Sequence, residues 1–371
     1  MNGELDVKQR RIAEYLERHG LDGVLLTRRD NFSWITLGRD NHIANNSPVG
    51  VASILVTKDA QRVCLANAIE APRFRGEELV GSGIETVDFP WYDRDAAKKK
   101  VAEVIGGRKI AADSENHGLP LPGLPGGFDE LRWSLTPAEV ERYRDGGRRA
   151  AAAMEKACRE LRPNNSEYDA AAMLDFHIHK AGLNPLVTLV ASDERIGNFR
   201  HPIPTEHSIR EQAMLVTCAE FGGLISCLTR FVRFTPMSAE LKKRHEAVCN
   251  VDAAVNHATR PGRTLGEVFA DLQRAYAANG FPDEWKLHHQ GGSCGYNPRD
   301  RIGTPGNDIK VFTNQGFAWN PSITGAKSED TVIVSESGGV EVLTAHSNDW
   351  PSVMGRADGH ELRRADVLVV A

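Results

Sequence analysis

Hydrophobic positions in the first third of the chain alternate between helical and strand-like spacing. Ile12, Tyr15 and Leu16 fall on one face of a predicted helix that ends at Gly20. The runs GVLLT, VASILV and RVCLAN are short and rich in branched aliphatic residues, as strands are. A second amphipathic stretch, DAAKKKVAEVIGG, precedes the strand-like KIAAD. This alternation predicts an α/β domain.

A Pro/Gly-rich run, GLPLPGLPGGF (118–128), interrupts this pattern and is typical of a linker or surface crossing. The next helix has a clear predicted start, because Thr136 can cap it, Pro137 suits its first turn and Glu139 completes a capping box. We therefore predict two domains, 1–134 and 135–371.

The second domain repeats one arrangement, a pair of helices followed by strands. A long helix that runs to Pro163 and the helix SEYDAAAMLDFHIHKAG precede LVTLVA, MLVTCA and LISCLTRFVRF. A second pair, SAELKKRHEAVCNVDAAVNHA and TLGEVFADLQRAYAANG, precedes VFTNQGFAW and DTVIV. Ser337-Gly338-Gly339 then predicts a hairpin between DTVIV and VEVLTA. The pattern indicates an α+β domain whose sheet is covered by helices on one face.

Composition and charge exclude several classes of protein. Hydrophobic residues make up 41% and charged residues 26% of 371 residues, which is typical of a globular protein. A net charge of −5 argues against nucleic acid or membrane partners held by bulk electrostatics. The amino terminus lacks the apolar stretch of a signal peptide. The six cysteines (64, 158, 218, 227, 249, 294) show no paired spacing, so we expect free thiols and a cytoplasmic location.

Four polar segments of the second domain could carry chemistry. They are NFRHPIPTEHS with His201, AEFGGLISCLTRF with Cys227 and Arg230, HHQGGSCGY with His288 and His289, and WNPSITGAKSEDTVIV with Asn320, Lys327, Glu329 and Asp330. Each also has a structural interpretation. His201 could be an ordinary loop histidine, Cys227 a small core residue, and Glu329 and Asp330 a solvated strand end. Arg230 is harder to dismiss, because an arginine within an apolar strand needs a partner.

In this order, after two helix pairs, these segments resemble the M24 peptidase family, whose catalytic domain has the pita-bread fold. The first domain is similar to the amino-terminal domain of the creatinase/prolidase/aminopeptidase P branch. The resemblance covers nearly the whole chain. It implies an α+β pita-bread domain preceded by an α/β creatinase-type domain.

The resemblance also implies which residues stand where the family binds its two divalent ions. The family uses two aspartates, a histidine and two glutamates. Aligning Thr229-Arg230 with the family's "TR" puts Cys227 at the second aspartate, and Val216 or Cys218 at the first. Gly292 falls at the histidine ligand and Asn320 at the first glutamate, whereas Glu329 is kept. The later family histidine falls on Arg299. We therefore expect no metal and no cofactor.

Creatinase, a metal-independent member of the family, supplies the expected chemistry. The resemblance implies a hydrolase, or a lyase, that cleaves a C–N bond in a small amino-acid-like, amide or amidine substrate. His201 would be the general base, with Glu329 and His288 as the other catalytic groups. Substrate binding would fall to His289, Arg299, Asn320, Arg230, Lys327 and Cys227. In a homodimer, Arg39 or His42 of the segment LGRDNHIANNS would reach the other subunit's site.

Other interpretations remain open at this point. One is an Xaa-Pro peptidase-like metallohydrolase with a rebuilt site, since Cys218, Cys227, Cys294, His288 and His289 could offer soft ligands for zinc. Another is a non-catalytic pita-bread binding module. A third makes Cys227 a nucleophile paired with a histidine.

Overall fold

The computed structural model describes residues 2–114 and 117–370. This part of the chain divides into two compact units. The first contains the chain up to Arg132 together with Thr136–Glu139, and the second contains Trp133–Leu135 and the chain from Val140 onward. Among the described residues, no helix is long and apolar enough to cross a membrane.

The first unit is built on a five-stranded mixed sheet in the order β4-β3-β2-β1-β5. Pairing is antiparallel for β1 with β2 and β2 with β3, and parallel for β3 with β4 and β1 with β5. Its elements are α1 (Asn2–His19), β1 (Gly23–Arg28), α2 (Arg29–Ile35), β2 (Val49–Thr57), β3 (Arg62–Asn67), α3 (Ala71–Arg73) with a π-helical turn (Phe74–Glu78), β4 (Glu85–Phe89), α4 (Arg94–Ile105), β5 (Ile110–Ala112) and a 3-10 turn (Asp129–Arg132).

The amphipathic pattern of α1 has the predicted consequence. Ile12, Tyr15 and Leu16 are completely buried, and Gly20 follows the helix in a left-handed conformation with φ of 62°. The strands of the sheet carry a core that includes Leu25, Leu55 and Leu65.

The second unit contains two principal sheets, ordered β18-β8-β7-β6 and β10-β9-β11-β14-β15. Its helices are α5 (Pro137–Glu160), α6 (Glu167–Lys180), α7 (Arg195–Asn198), α8 (Ala239–Ala258) and α9 (Leu265–Ala278), with a 3-10 turn at Glu284–Leu287. Its strands are β6 (Asn184–Ser192), β7 (Gln212–Phe221), β8 (Leu224–Arg233), β9 (Gly291–Cys294), β10 (Arg301–Ile302), β11 (Gly316–Trp319), β12 (Ser322–Ile323), β13 (Ala326–Lys327), β14 (Asp330–Val334), β15 (Val340–Val342), β16 (Ser352–Ala357), β17 (His360–Ala365) and β18 (Leu368–Val369).

The predicted start of α5 and the predicted hairpin are both present. The Thr136 N–H donates to the Glu139 carboxylate at 2.8 Å, and the Glu139 N–H donates to Thr136 Oγ1 at 3.4 Å, which is a capping box. β14 and β15 pair antiparallel. The strand predicted for VFTNQGFAW is shorter than expected, because Asn314 takes a left-handed conformation with φ of 57° and β11 begins only at Gly316.

A tight hairpin between β7 and β8 sets which residues face each other in the first sheet. Gly222 and Gly223 both have positive φ, as a two-residue hairpin turn of this kind requires. The resulting register places Cys218 opposite Cys227 and Val216 opposite Thr229. Of the two positions considered for the family's first aspartate, Cys218 is therefore the one that faces Cys227.

Candidate active site

Side chains from three segments of the second unit lie around Glu329, which lies just before β14. β8 contributes Cys227 and Thr229, which share one face of the strand because strand side chains alternate. Lys327 comes from β13, and Arg299 comes from the loop between β9 and β10. Lys327 is two residues from Glu329, whereas β8 and the β9–β10 loop lie far from it in the chain and are brought to it by the folded sheets.

Both oxygens of the Glu329 carboxylate are bound by neighbouring side chains. Oε1 accepts from Arg299 Nη2 at 2.9 Å, whereas Oε2 contacts Lys327 Nζ at 2.7 Å and accepts from Thr229 Oγ1 at 2.7 Å. Burial raises the pKa of the Glu329 carboxyl, but the charges of Lys327 and Arg299 outweigh it and lower that pKa to about 2. Glu329 is therefore an ionised acceptor that holds two cations.

Arg299 also contacts the sulfur of Cys227. Its Nη1 donates to Cys227 Sγ at 3.2 Å, so the guanidinium lies between Cys227 and Glu329. A hydrogen bond from the Cys218 thiol lowers the pKa of Cys227, and the charge of Arg299 acts in the same direction. Burial lowers the pKa of Arg299, but the facing Cys227 and Glu329 raise it by more. The guanidinium is therefore permanently charged.

Three histidines lie beside these cations. His201 follows α7 in an exposed loop, whereas His288 and His289 follow the 3-10 turn, and His288 is buried. His201 Nε2 and His288 Nε2 are 3.1 Å apart, so one of the two rings donates to the other. A ring nitrogen from each of the three lies within 4.8 Å of the other two, a spacing at which three imidazoles could hold a metal ion.

The histidines are held in their neutral form. Burial and the charge of Lys327 lower the pKa of His201, and they lower the pKa of His288 to about 2. Burial and Arg299 lower the pKa of His289 to about 4. At neutral pH each ring therefore keeps one unprotonated nitrogen.

Arg230 lies outside this cluster, contrary to the expected role in binding a substrate carboxylate. It is three positions from Cys227 on the same strand, so its side chain points to the opposite face. There Arg230 Nη2 is bound by Asp330 Oδ1 and by the Thr344 carbonyl oxygen, each at 2.8 Å. We correct the expectation: Arg230 belongs to a buried structural ion pair.

Asn320 and Gly292 border the cluster without joining its ion pairs. The Asn320 side chain is buried, and its Oδ1 has no hydrogen-bond partner among the described residues. A side chain at Gly292 would be obstructed, because a Cβ there would lie 2.0 Å from the Arg301 carbonyl oxygen. The pairing of β9 with β10 therefore leaves room only for glycine at this position.

A small pocket, open to solvent, adjoins His288 and Lys327. The sequence interpretation missed most of its walls, which are formed by Ile196, Phe199, Arg200, Met214, Ser322 and Ala326. Two of the missed residues had a local signal, since Phe199 and Arg200 directly precede His201.

Arg39 lies in the first unit, where its carbonyl oxygen accepts from Ser33 Oγ at 2.7 Å. Its role at another subunit's site stays a prediction.

Comparison with known proteins identifies the family. The sequence profile of metallopeptidase family M24 matches residues 141–336, which is more than half of the 371-residue chain. The chain belongs to metallopeptidase family M24. This confirms the resemblance noted from the sequence and makes the chain a member of a family of hydrolases. The family match includes the segments that carry His201, His288, Arg299 and Glu329.

Relatives and solved structures extend the M24 match over both units. A probable dipeptidase PepE of Mycobacterium tuberculosis is 26% identical over 307 residues, covering 75% of this chain and 80% of that protein. An agropine synthesis cyclase of Rhizobium rhizogenes is 30% identical over 141 residues, covering 36% of this chain and 35% of that protein. The structure of an Xaa-Pro dipeptidase from Bacillus anthracis superposes with a TM-score of 0.77 at 19% identity, covering 99% of this chain and 100% of that one. The predicted pita-bread fold and creatinase/prolidase branch are thus confirmed.

Proposed function

We propose that this M24 protein is a metal-independent hydrolase, or lyase, that cleaves a C–N bond in a small amino-acid-like, amide or amidine substrate. The proposal rests on the two ion pairs of Glu329, whose carboxylate oxygens contact Arg299 and Lys327. A carboxylate whose two oxygens each contact a buried cation is a poor ligand for a divalent ion, because the cations repel it. The guanidinium and the ammonium supply positive charge that metal ions supply in metal-dependent relatives.

The residues at the other metal-ligand positions also fit a metal pair poorly. Cys227 stands in place of one aspartate and Val216 or Cys218 in place of the other, and the guanidinium of Arg299 contacts Cys227. Gly292 has no side-chain ligand and no room for one. Asn320 offers a neutral amide oxygen, a weaker ligand than a carboxylate. These features support a site without the dinuclear centre, and we derive no catalytic step through a metal.

His201 is the group best placed to act as general base. It is exposed to solvent, it is neutral at pH 7, and its Nε2 is fixed by His288 Nε2 at 3.1 Å. In the proposed reaction His201 takes a proton from water, and the resulting hydroxide attacks the substrate carbon. The C–N bond then breaks, and the imidazolium of His201 returns the proton to the leaving nitrogen.

Glu329 has a different role from the one expected from the sequence. Because the charges of Lys327 and Arg299 lower its pKa to about 2, it holds no proton at pH 7 and cannot act as a general acid. We assign it as a positioning residue that fixes Arg299 and Lys327. Arg299 and Lys327 place two positive charges at the site, and such groups favour an anionic substrate group or a developing oxyanion. The Oδ1 of Asn320, which has no hydrogen-bond partner among the described residues, offers an acceptor for a substrate N–H.

The experiment replaces His201 with alanine and compares it with His179→Ala, an exposed histidine on α6. Candidate amides, ureas and guanidino compounds that carry a carboxylate are screened first by thermal shift and then by mass spectrometry for cleaved product. His201→Ala should lose at least a hundredfold in kcat with an unchanged unfolding midpoint, whereas His179→Ala should keep full activity. An active His201→Ala enzyme would exclude the base mechanism.

Two alternatives rest on specific observations. The clustered His201, His288 and His289 favour a rebuilt metallohydrolase, although Lys327 and Arg299 lie close enough to repel a cation. That alternative predicts a tight one-to-one zinc complex, which calorimetry would detect.

The relative named as a cyclase favours ring formation over hydrolysis. Mass spectrometry distinguishes the two, because cyclisation gives one product and hydrolysis gives two.

We also propose a cytoplasmic homodimer in which Arg39 reaches the partner's site. The six cysteines are free and buried, as expected in a reducing compartment. If Arg39 acts across subunits, mixing an Arg39→Ala subunit with a His201→Ala subunit should restore about half of the activity per heterodimer, because only one of its two sites keeps both residues. Light scattering that gives a monomer would contradict this arrangement.

A further inference from the structure

A pair of cysteines faces each other across two strands inside the candidate site. Cys218 on β7 and Cys227 on β8 are directly opposite in the antiparallel register. Directly opposed residues project to the same face of a sheet. The two thiols interact, since the Cys218 thiol lowers the pKa of Cys227. The pair therefore consists of two thiols at directly opposed positions on one face of the sheet.

The backbone shows which kind of cross-strand pair this is. The Cys227 N–H donates to Thr331 Oγ1 at 2.7 Å, and its carbonyl oxygen accepts from the same hydroxyl at 2.9 Å. Both backbone groups of Cys227 thus point away from β7, as do the N–H groups of Ile225 and Thr229. Cys218 and Cys227 therefore form a non-hydrogen-bonded pair, in which Cα atoms are typically about 4.5 Å apart. That separation lies at the short end of the range that a disulfide bridges.

The surroundings of Cys227 favour the ionised form that disulfide chemistry needs. Arg299 Nη1 donates to its sulfur at 3.2 Å, and a thiolate is the nucleophile in thiol oxidation. Cys218 is the second thiol at the required position. The other cysteine near Cys227 is Cys294, which is within 3.2 Å of the Tyr143 hydroxyl.

We propose that Cys218 and Cys227 form a reversible disulfide within the candidate site when the protein meets a peroxide. The Cys227 thiolate attacks one oxygen of hydrogen peroxide, which releases hydroxide and leaves a sulfenic acid. The Cys218 thiol then displaces water from that sulfur. Overall two thiols and one peroxide give one disulfide and two waters. Oxidation replaces the anionic acceptor of Arg299 with a neutral disulfide sulfur, and Glu329 remains as its charged partner.

The test uses peptide mapping of the full chain. The protein is treated with hydrogen peroxide, its remaining thiols are blocked with N-ethylmaleimide, and it is digested with trypsin. Both cysteines fall in one tryptic peptide, 211–230, and cleavage after Glu220 separates them. In oxidised protein the two halves should stay joined until a reductant is added. The readout is whether the two halves stay joined, and not the mass of the peptide, because oxidation of Met214 in the same peptide also changes that mass.

Two variants and one condition make the outcome decisive. Cys218→Ser should abolish the link, whereas Cys294→Ser should leave it intact. Folded protein should form the link at least tenfold faster than protein unfolded in urea, because the fold holds the two cysteines at opposed positions of adjacent strands. The proposal is overturned if the two halves of the peptide remain fully alkylated, if Cys227 is joined to Cys294, or if the link forms no faster in the folded chain. None of these outcomes depends on the proposed hydrolytic activity.

Discussion

Replacing Glu329 with glutamine tests whether this carboxylate neutralises two buried cations. The change keeps the shape of the side chain and removes its charge. Lys327 and Arg299, of which only 6% and 16% of the side-chain surface is exposed, would lose their shared counter-ion. Removing one partner of a buried ion pair typically costs about 3–5 kcal/mol, since the other charge stays buried.

The lowered pKa of the Glu329 carboxyl corresponds to a free energy of similar size. The pKa of Glu329 falls from 4.5 to about 2, because Lys327 and Arg299 outweigh the effect of its burial. This difference corresponds to about 3 kcal/mol of stability. A carboxyl whose pKa is lowered by folding stabilises the protein above its unfolded pKa, and that stability is lost as pH falls. The loss of free energy of unfolding caused by Glu329→Gln should therefore be largest at pH 7 and should shrink as the pH falls from 4.5 to about 2.

The unfolding of each unit can be followed through its buried cysteines. Pulses of N-ethylmaleimide in increasing urea report the second unit through Cys158 and Cys249, and the first unit through Cys64. Glu329→Gln should lower the free energy of unfolding of the second unit by about 3 kcal/mol at pH 7.

The matched control is Glu361→Gln, whose partner Arg356 lies 2.9 Å away and whose ion pair is more than half exposed. The control should cost less than about 1 kcal/mol, as exposed ion pairs do. If Glu329→Gln loses no more free energy of unfolding than this control, Glu329 is not the counter-ion that stabilises Lys327 and Arg299.

Three further predictions concern the surroundings of the site. Gly292→Ala should destabilise the second unit by at least about 2 kcal/mol, because its Cβ would meet the Arg301 carbonyl oxygen; Gly339→Ala, with open space around it, should change the thermal midpoint little. Lys327→Met should raise the pKa of His288 measured by NMR, since burial and the Lys327 charge lower that pKa to about 2; an unchanged pKa would contradict the proximity of the two groups. Arg230→Met should lower the free energy of unfolding by about 3 kcal/mol without changing KM, because Arg230 pairs with Asp330; a rise in KM with unchanged stability would restore its role in substrate binding.

Local features of the fold were predictable because their causes lie close together in the chain. The capping box at Thr136 needs only a residue three positions away, and the hydrophobic face of α1 follows from helical spacing. The order of polar segments was sufficient to predict the family, since each segment keeps its place relative to the helix pairs. The shortened β11 was missed because the left-handed conformation of Asn314 has only a weak signal in the sequence.

The candidate site could be predicted only in part. The register that places Cys218 opposite Cys227 depends on the length of the hairpin, which Gly222 and Gly223 set. The face on which Arg230 lies was predictable in principle, because residues three positions apart on a strand, such as Cys227 and Arg230, point to opposite faces. The contact of Arg299 with Cys227 and Glu329 was not, because it brings together residues from three separate segments. No spacing in the sequence specifies such a contact.

Metal content is the most direct test of the central claim. The protein would be purified without added metal and analysed for manganese, iron, cobalt and zinc by mass spectrometry, then titrated with Mn²⁺ and Zn²⁺ in a calorimeter. Because Arg299 and Lys327 occupy the oxygens of Glu329, we predict far less than one ion per chain and no tight binding of either ion. One or two ions bound stoichiometrically per chain, with loss of stability on their removal, would contradict the account.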